Sequence, residues 1–222
     1  MVKVDSAPQL VSTMSRGQLE RRRRLTDAVI ELVSETGPEN VQMREVAERS
    51  GVALGTAYRY FSSKDHLLAA AITEWQRRLT DRVLSELNRG NRKGPAMGAL
   101  AGDRMFAYLQ RELRAFQRHP SFARLVSQLN ASSDPFASEA LAELAVANES
   151  VMNLLLEGVP AHVARPARIA VNATLMLGLS AWTTGRATFS DLARDVEEVT
   201  RLVLADYTAP RAGSSAPTPA VD

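Results

Sequence analysis

Residues 41–68 read VQMREVAERSGVALGTAYRYFSSKDHLL, and the folding of this stretch decides how the rest of the chain is read. A short helical pattern runs from about Met43 to Ser50 with Val46 and Ala47 turned inward. Gly51 follows, and glycine enters left-handed backbone angles without the Cβ clash that other residues meet. A second short helix then covers about Leu54 to Phe61. Helix, tight glycine turn, helix is the arrangement that lays its second helix in the major groove of duplex DNA while the first braces it. Any α-helical corner has the same outline, so spacing alone leaves both readings open and the side chains must decide.

On the second of these helices Ala57 and Phe61 are one turn apart and belong to the core. Thr56 and Tyr60 form another row, with hydroxyls suited to phosphate oxygens. Gly55, Tyr58 and Arg59 make the outward face. A helical glycine costs about 1 kcal/mol against alanine, and close approach of the backbone to a partner is a reason to carry one at Gly55. Arg59 offers a bidentate donor pair to guanine, and Tyr58 an apolar ring edge to a thymine methyl. Lys64 opens the next helix, where free N–H groups already attract an anion. A cation there makes sense with a phosphate between, and Arg44 in the first turn of the preceding helix is placed alike.

Outward from this head, Leu25, Ala28, Val29, Leu32 and Val33 form one stripe of a helix that starts near Arg16 and stops at Gly37-Pro38. Ser62 or Ser63 caps a long helix, about 63–87, along which Leu68, Ile72, Trp75, Leu79 and Val83 keep a helical period. Helical patterns then recur over about 97–118, 120–130, 135–157, 161–185 and 190–207, with no alternating strand pattern and no internal repeat. The fold class is all-α: a three-helix head, a connecting helix and a larger helical body, about nine helices altogether. Residues 1–15 read as a mobile arm, 16–62 as the DNA-binding domain, 63–207 as the connecting helix with the ligand-binding and dimerisation domain, and 208–222 as a disordered Pro/Ala/Ser-rich tail.

Composition sets limits. The absence of cysteine excludes disulfide frameworks, thiolate metal sites and cysteine nucleophiles. The longest apolar run, AVNATLMLGLSAW, is too short and too rich in small and polar residues to span a bilayer, and the N-terminus lacks a signal-peptide core; a soluble cytoplasmic protein without a membrane partner is expected. The net charge is +2, and its whole excess lies in residues 1–64, where 10 Lys/Arg face 8 Asp/Glu. That is a weak global signal for nucleic acid. The run Arg21–Arg24 covers all sides of a helix, so one or two phosphate contacts are the most it can supply. His66, His119 and His162 show no metal-ligand spacing, the carboxylates Glu139, Glu143 and Glu149 lack a histidine partner, and no nucleotide or hydrolase fingerprint is present. Neither enzyme nor cofactor is expected.

Residues 41–68 closely resemble the DNA-binding head of the TetR family of regulators, whose pattern runs reIAxxAGVsxGtlYxyFxsKxxL. The resemblance implies a homodimeric transcriptional regulator, usually a repressor released from a double-stranded operator by a small molecule. By that likeness Arg44, Gly55, Thr56, Tyr58, Arg59, Tyr60 and Lys64 are the DNA-contacting set. The chain departs from the pattern at Gln42 and Ala53, where Ser or Thr normally caps each helix, and at Ala57, which replaces a larger aliphatic residue. A narrower resemblance, carried by the head and by LSAWTTGRATFSDLARDVEEVTRLVL, is to the sterol-catabolism repressors of actinobacteria, and it implies a steroid or acyl-CoA-type effector.

In the body, Met105, Phe106, Leu109, Phe116, Met152, Leu155, Met176 and Trp182 are the pocket candidates. Each alone is as well explained as ordinary core; the resemblance makes a pocket expected, and the scarcity of ionisable residues on these stripes makes its ligand hydrophobic. Leu192, Val196, Val199 and Val203 form a seam on the last helix, expected at the dimer interface together with the Gly178 and Ser180 region of the helix before it. The long helix is expected to act as the lever that changes the spacing of two heads when the pocket fills. An activator, or a helical small-molecule binder without specific DNA recognition, would use much the same parts.

Overall fold

A computed structural model describes residues 11–89 and 100–207. Among these residues there are nine α-helices and no strand. The first, α1 (Arg16–Thr36), begins on a reciprocal cap in which the Ser15 N–H donates to Gln18 Oε1 at 2.7 Å and the Gln18 N–H to Ser15 Oγ. It buries Leu25, Ala28, Val29, Leu32 and Val33, the stripe that the period predicts. Just before it, residues 11–13 form a 3-10 turn and Met14 is buried, so the end of the expected arm is folded onto the head. Residues 1–10, the segment 90–99 and the tail from 208 lie outside the described residues.

After a 3-10 turn at Pro38–Asn40 come α2 (Met43–Ser50) and α3 (Leu54–Tyr60). Gly51, at φ 64°, closes α2: its N–H donates to Glu48 O, and the Val52 N–H reaches back to Ala47 O at 3.1 Å. This six-to-one bond satisfies a carbonyl the helix would leave open, and it needs the left-handed residue in between. Val52 is thereby pinned into the core. Ala57 and Phe61 have no exposed surface, which holds α3 across α1 and α2.

The long helix α4 (Lys64–Arg89) starts on Ser63, whose Oγ accepts the His66 N–H at 2.9 Å. Its first four turns or so, from Lys64 to Arg78, are held from both sides. On the head side, Lys64 Nζ donates to Glu39 O at 3.0 Å, Arg78 pairs with Asp27 of α1, and the Arg22 guanidinium sits 4.9 Å above the Phe61 ring. On the body side, Asp65 accepts from Ser132 Oγ at 2.6 Å. His66 lies between the two, edge-on to Phe61 and stacked on Phe136. Its burial, with the Arg22 charge adding, holds the imidazole below its ordinary pKa, and the neutral ring accepts the Ser62 N–H at Nδ1.

The body continues with α5 (Ala101–Arg118), α6 (Pro120–Asn130), α7 (Pro135–Leu155), α8 (Ala161–Thr183) and α9 (Phe189–Val203). Asp134 caps α7 by accepting from the Phe136 and Ala137 N–H groups, and Thr188 with Asp191 makes a second reciprocal cap for α9. The helix expected over 190–207 ends at Val203 and gives way to a 3-10 turn at Ala205–Tyr207.

Helices α8 and α9 pack closely, and here the dimer expectation needs correction. Leu192 and Val196 are each 1% exposed and point into the chain's own core, so they cannot meet a partner; Val199 and Val203 are half-buried. The large apolar residues exposed on the pair are Ile169 at 51%, Leu177 at 71% and Leu202 at 78%. Gly178 is what allows the close packing, because a Cβ placed there would come within 2.4 Å of Leu192 Cδ1. Gly178→Ala is therefore expected to destabilise the fold by roughly 1–3 kcal/mol, the usual cost of overpacking; urea unfolding of the variant, with Leu192→Ala added to restore room, checks the cause.

Candidate nucleic-acid interface and body cavity

The head presents the side chains of α2 and α3 on one side, around a shallow concavity lined by Glu39, Gln42, Arg44, Leu54, Tyr58 and Lys64, among others. Three of the expected DNA contacts, Arg44, Tyr58 and Lys64, thus meet at one site. Arg44 is 83% exposed, and its ion pair with Glu48 is of the surface kind that contributes about 0–1 kcal/mol. It is easily redirected to a stronger anion. Lys64 is tied to the Glu39 carbonyl, which places its charge at the rim.

Gly55 and Arg59 are exposed and Thr56 is half-buried, as the outward rows require. A Cβ on Gly55 would meet nothing within 4 Å. Its lack of a side chain therefore serves no internal packing. Tyr60 departs from expectation: it is 4% exposed, and its hydroxyl accepts from Arg21 Nε at 3.2 Å. Its ring faces the core because position 60 falls beside Phe61 and against α1. Neither Gln42 nor Ala53 makes a side-chain cap, so the first N–H groups of α2 and α3 get no hydrogen bond from either side chain.

The four consecutive arginines of α1, Arg21 to Arg24, have four different roles. Arg21 steadies Tyr60, Arg22 covers Phe61, Arg23 joins Glu20 and Asp27 in a surface ion-pair cluster, and Arg24 donates to Ser50 O at the end of α2. Arg21 and Arg24, both exposed, are the two placed beside the α2–α3 unit.

Inside the body, α4 to α8 enclose a cavity of about 470 Å³. Of the eight expected lining residues it receives Phe116, Met152 and Met176. The others lie elsewhere. Met105 and Leu155 are plain core; Phe106 and Leu109 line a separate groove between α5 and α9; Trp182 packs edge-on against Phe189 at the end of α8. A helix of α5's length buries several rows, and only the row facing α4 and α7 reaches the cavity.

The cavity also holds what the apolar stripes did not lead us to expect. Gln76 of α4 donates its Nε2 to Glu112 Oε1 of α5, both residues being buried. Among the described residues Glu112 Oε2 has no hydrogen-bond partner. Burial pushes the Glu112 carboxyl up to about 7, with the Gln76 bond acting the other way. Beside it the Tyr108 hydroxyl, bonded to Thr80 Oγ1 at 3.2 Å, is raised by the same burial and by the Glu112 charge. On the α7–α8 side of the cavity, Arg168 pairs with Glu149 at 2.7 Å. The sequence carried a signal for the inner pair: Glu112 interrupts the buried series Met105, Tyr108, Leu109, Leu113, Phe116, and Gln76 interrupts Ile72, Leu79, Val83. A polar residue at a core position on each of two packed helices points to a buried polar site.

With this geometry in hand, comparison with known proteins finds that residues 25–71 match the profile of the bacterial regulatory proteins of the tetR family. The transcriptional repressor KstR of Mycobacterium tuberculosis is 30% identical over 197 residues, which span 86% of this chain and 84% of KstR. Among solved structures, a TetR transcriptional regulator from Rhodococcus sp. RHA1 superposes with a TM-score of 0.66 at 24% identity, covering 87% of this chain and all of that one (100%). FadR of Bacillus subtilis, solved in complex with stearoyl-CoA, superposes with a TM-score of 0.59 at 21% identity, covering 82% and 97%.

Glu112 makes stability depend on pH in a definite direction. Its carboxyl holds its proton more tightly folded than unfolded, so between about pH 4.5, the ordinary value of the group, and about 7 the folded state binds more protons and stability falls as pH rises. Glu112→Gln removes this contribution. Denaturant titrations at pH 5 and pH 8 should show a smaller loss of stability on raising the pH in the variant than in the parent.

Proposed function

The chain belongs to the TetR family of bacterial transcriptional regulators, and on that footing we propose that it is a cytoplasmic, homodimeric repressor released from a palindromic operator by a largely apolar small molecule. Residues 16–62 serve as its DNA-binding domain and 63–207 as its connecting, ligand-binding and dimerisation domain. The observation that carries the reading is the outward face of α3, where Gly55 leaves open space beside an exposed Arg59. Neither residue has a structural duty that would otherwise explain it. In the complex α3 enters the major groove, Arg59 reads a base edge, Tyr58 supplies an apolar contact, and Arg44, Thr56 and Lys64 hold phosphates. Tyr60 contributes through Arg21, whose guanidinium it positions.

Two heads are needed because one seven-residue helix reads too few base pairs. The α8–α9 face carrying Leu177 and Leu202 is the surface on which a second copy packs. Ile72, Phe116, Met152 and Met176 give the effector cavity apolar walls, and Arg168 gives it a cation for an anionic group. This suits a steroid or an acyl-CoA-type metabolite, and the fold it shares with a stearoyl-CoA-bound regulator is compatible with the latter. The cavity touches α4 directly through Ile72 and Gln76. Filling it shifts α4 and with it the spacing of the heads. A hundredfold loss of operator affinity requires a coupling of about 2.7 kcal/mol, within the common range. Among the described residues no helix is long and apolar enough to cross a membrane.

Selection of bound duplexes from random oligonucleotides should enrich a palindrome; no enrichment would sink the repressor reading. On the selected site Arg59→Ala should lose about 1–3 kcal/mol of affinity and relax one base position. Gly55→Ala should do something a merely structural glycine would not: raise unfolding stability by up to about 1 kcal/mol while weakening the operator complex. For assembly, Leu177→Arg with Leu202→Glu should give a monomer by light scattering that keeps its helical content; an unchanged dimer would move the interface elsewhere.

A further inference from the structure

The cavity just assigned to the effector contains one polar atom that the protein leaves unanswered. Glu112 is 5% exposed, and it lines the cavity beside Gln76 and Tyr108. Gln76 supplies a donor to Oε1, and the Tyr108 hydroxyl is hydrogen-bonded to Thr80, either of the two donating. Among the described residues no group answers Oε2. Buried polar groups are almost always paired, and leaving one unpaired costs the protein its full desolvation. A stability-driven choice at a position flanked by Leu109, Leu113 and Phe116 would be a leucine. The carboxyl is therefore kept for a partner that is not part of the chain.

We infer that Glu112 is the specificity-determining residue of the cavity, accepting at Oε2 a hydrogen bond from a hydroxyl group carried at the inner end of an otherwise apolar effector. The inference rests on the cavity being the effector site and adds to it the chemistry of the molecule's buried end. Once Glu112 is ionised, above about pH 7, Oε2 is an acceptor and calls for a donor. A carboxylate on the ligand would meet a like charge, and a hydroxyl is cheaper to desolvate than an ammonium group. The surrounding Ile72, Phe116 and Met152 take hydrocarbon next to that hydroxyl. Because Glu112 also holds Gln76, the recognised group lies two hydrogen bonds from α4, the helix on which the head is mounted.

The test uses the whole chain at pH 8.5, where Glu112 is ionised, and three probes with one tail: decanol, decyl methyl ether, which keeps the oxygen but cannot donate, and decylamine. Binding is followed by tryptophan fluorescence, since Trp75 stacks on Phe122 and touches Phe116 of the cavity wall. Decanol should bind about tenfold or more tighter than the ether, the size of effect expected when a buried acceptor is satisfied or left bare. In Glu112→Gln, whose carbonyl stays with the Gln76 N–H, the vacated place is filled by an amide donor that serves alcohol and ether alike, and the preference should collapse to less than about threefold. Glu112→Leu should abolish it by a different route. A preference that survives both substitutions overturns the inference while leaving the effector cavity intact, as does equal binding of alcohol and ether by the parent. Tighter binding of decylamine than of decanol overturns the hydroxyl assignment. Failure of all three probes to bind removes the cavity reading itself, and the inference with it.

Discussion

Helix α4 has to be buried by two neighbours at once. Its first turns are packed by the head through Leu67 and Leu68 and by the body through the loop before α7, and its middle lies against α1, α5 and α7. A continuous hydrogen-bonded ladder transmits a shift at one end to the other, because bending it within a packed core costs more than moving it whole. The joint at its start is built for this. Phe61, His66 and Phe136 make one aromatic column running from head to body, with Arg22 and Asp65 fixing its flanks. Head and body are separate in sequence pattern but share this helix as a common structural member.

Much of this was legible in the chain beforehand, and the reasons differ by element. Stops at Gly37-Pro38 and Gly51 were readable because only particular residues tolerate those backbone angles. The stripe of α1 was readable because one face is buried and the other wet. The outward face of α3 could be read from residue chemistry, since a short helix with Ala57 and Phe61 inside has few ways to orient the rest. What failed was the assignment of which neighbour a buried stripe meets. Leu192 and Val196 were rightly apolar and inward, but a period gives no information on whether the partner surface belongs to the same chain. The cavity is hard to read for a related reason: large apolar residues mark burial, whereas a cavity is marked by what breaks the apolar pattern, as Gln76 and Glu112 do.

The departures at Gln42 and Ala53 gain meaning from the structure. Both precede helices whose opening N–H groups receive no side-chain cap, and both helices stand at the concavity where Arg44, Tyr58 and Lys64 gather. A serine or threonine hydroxyl there would offer those donors a local partner. Without one, the first N–H groups of both helices have no side-chain partner from the cap position.

The contact between Gly178 and Leu192 bears on how this chain can change over generations. A side chain at position 178 forces the leucine opposite to shift, whereas position 192 can shrink while the glycine remains. The less costly order in which descendants alter the α8–α9 spacing is therefore the leucine yielding first, and a small residue at 192 should more often precede a side chain at 178 than follow it.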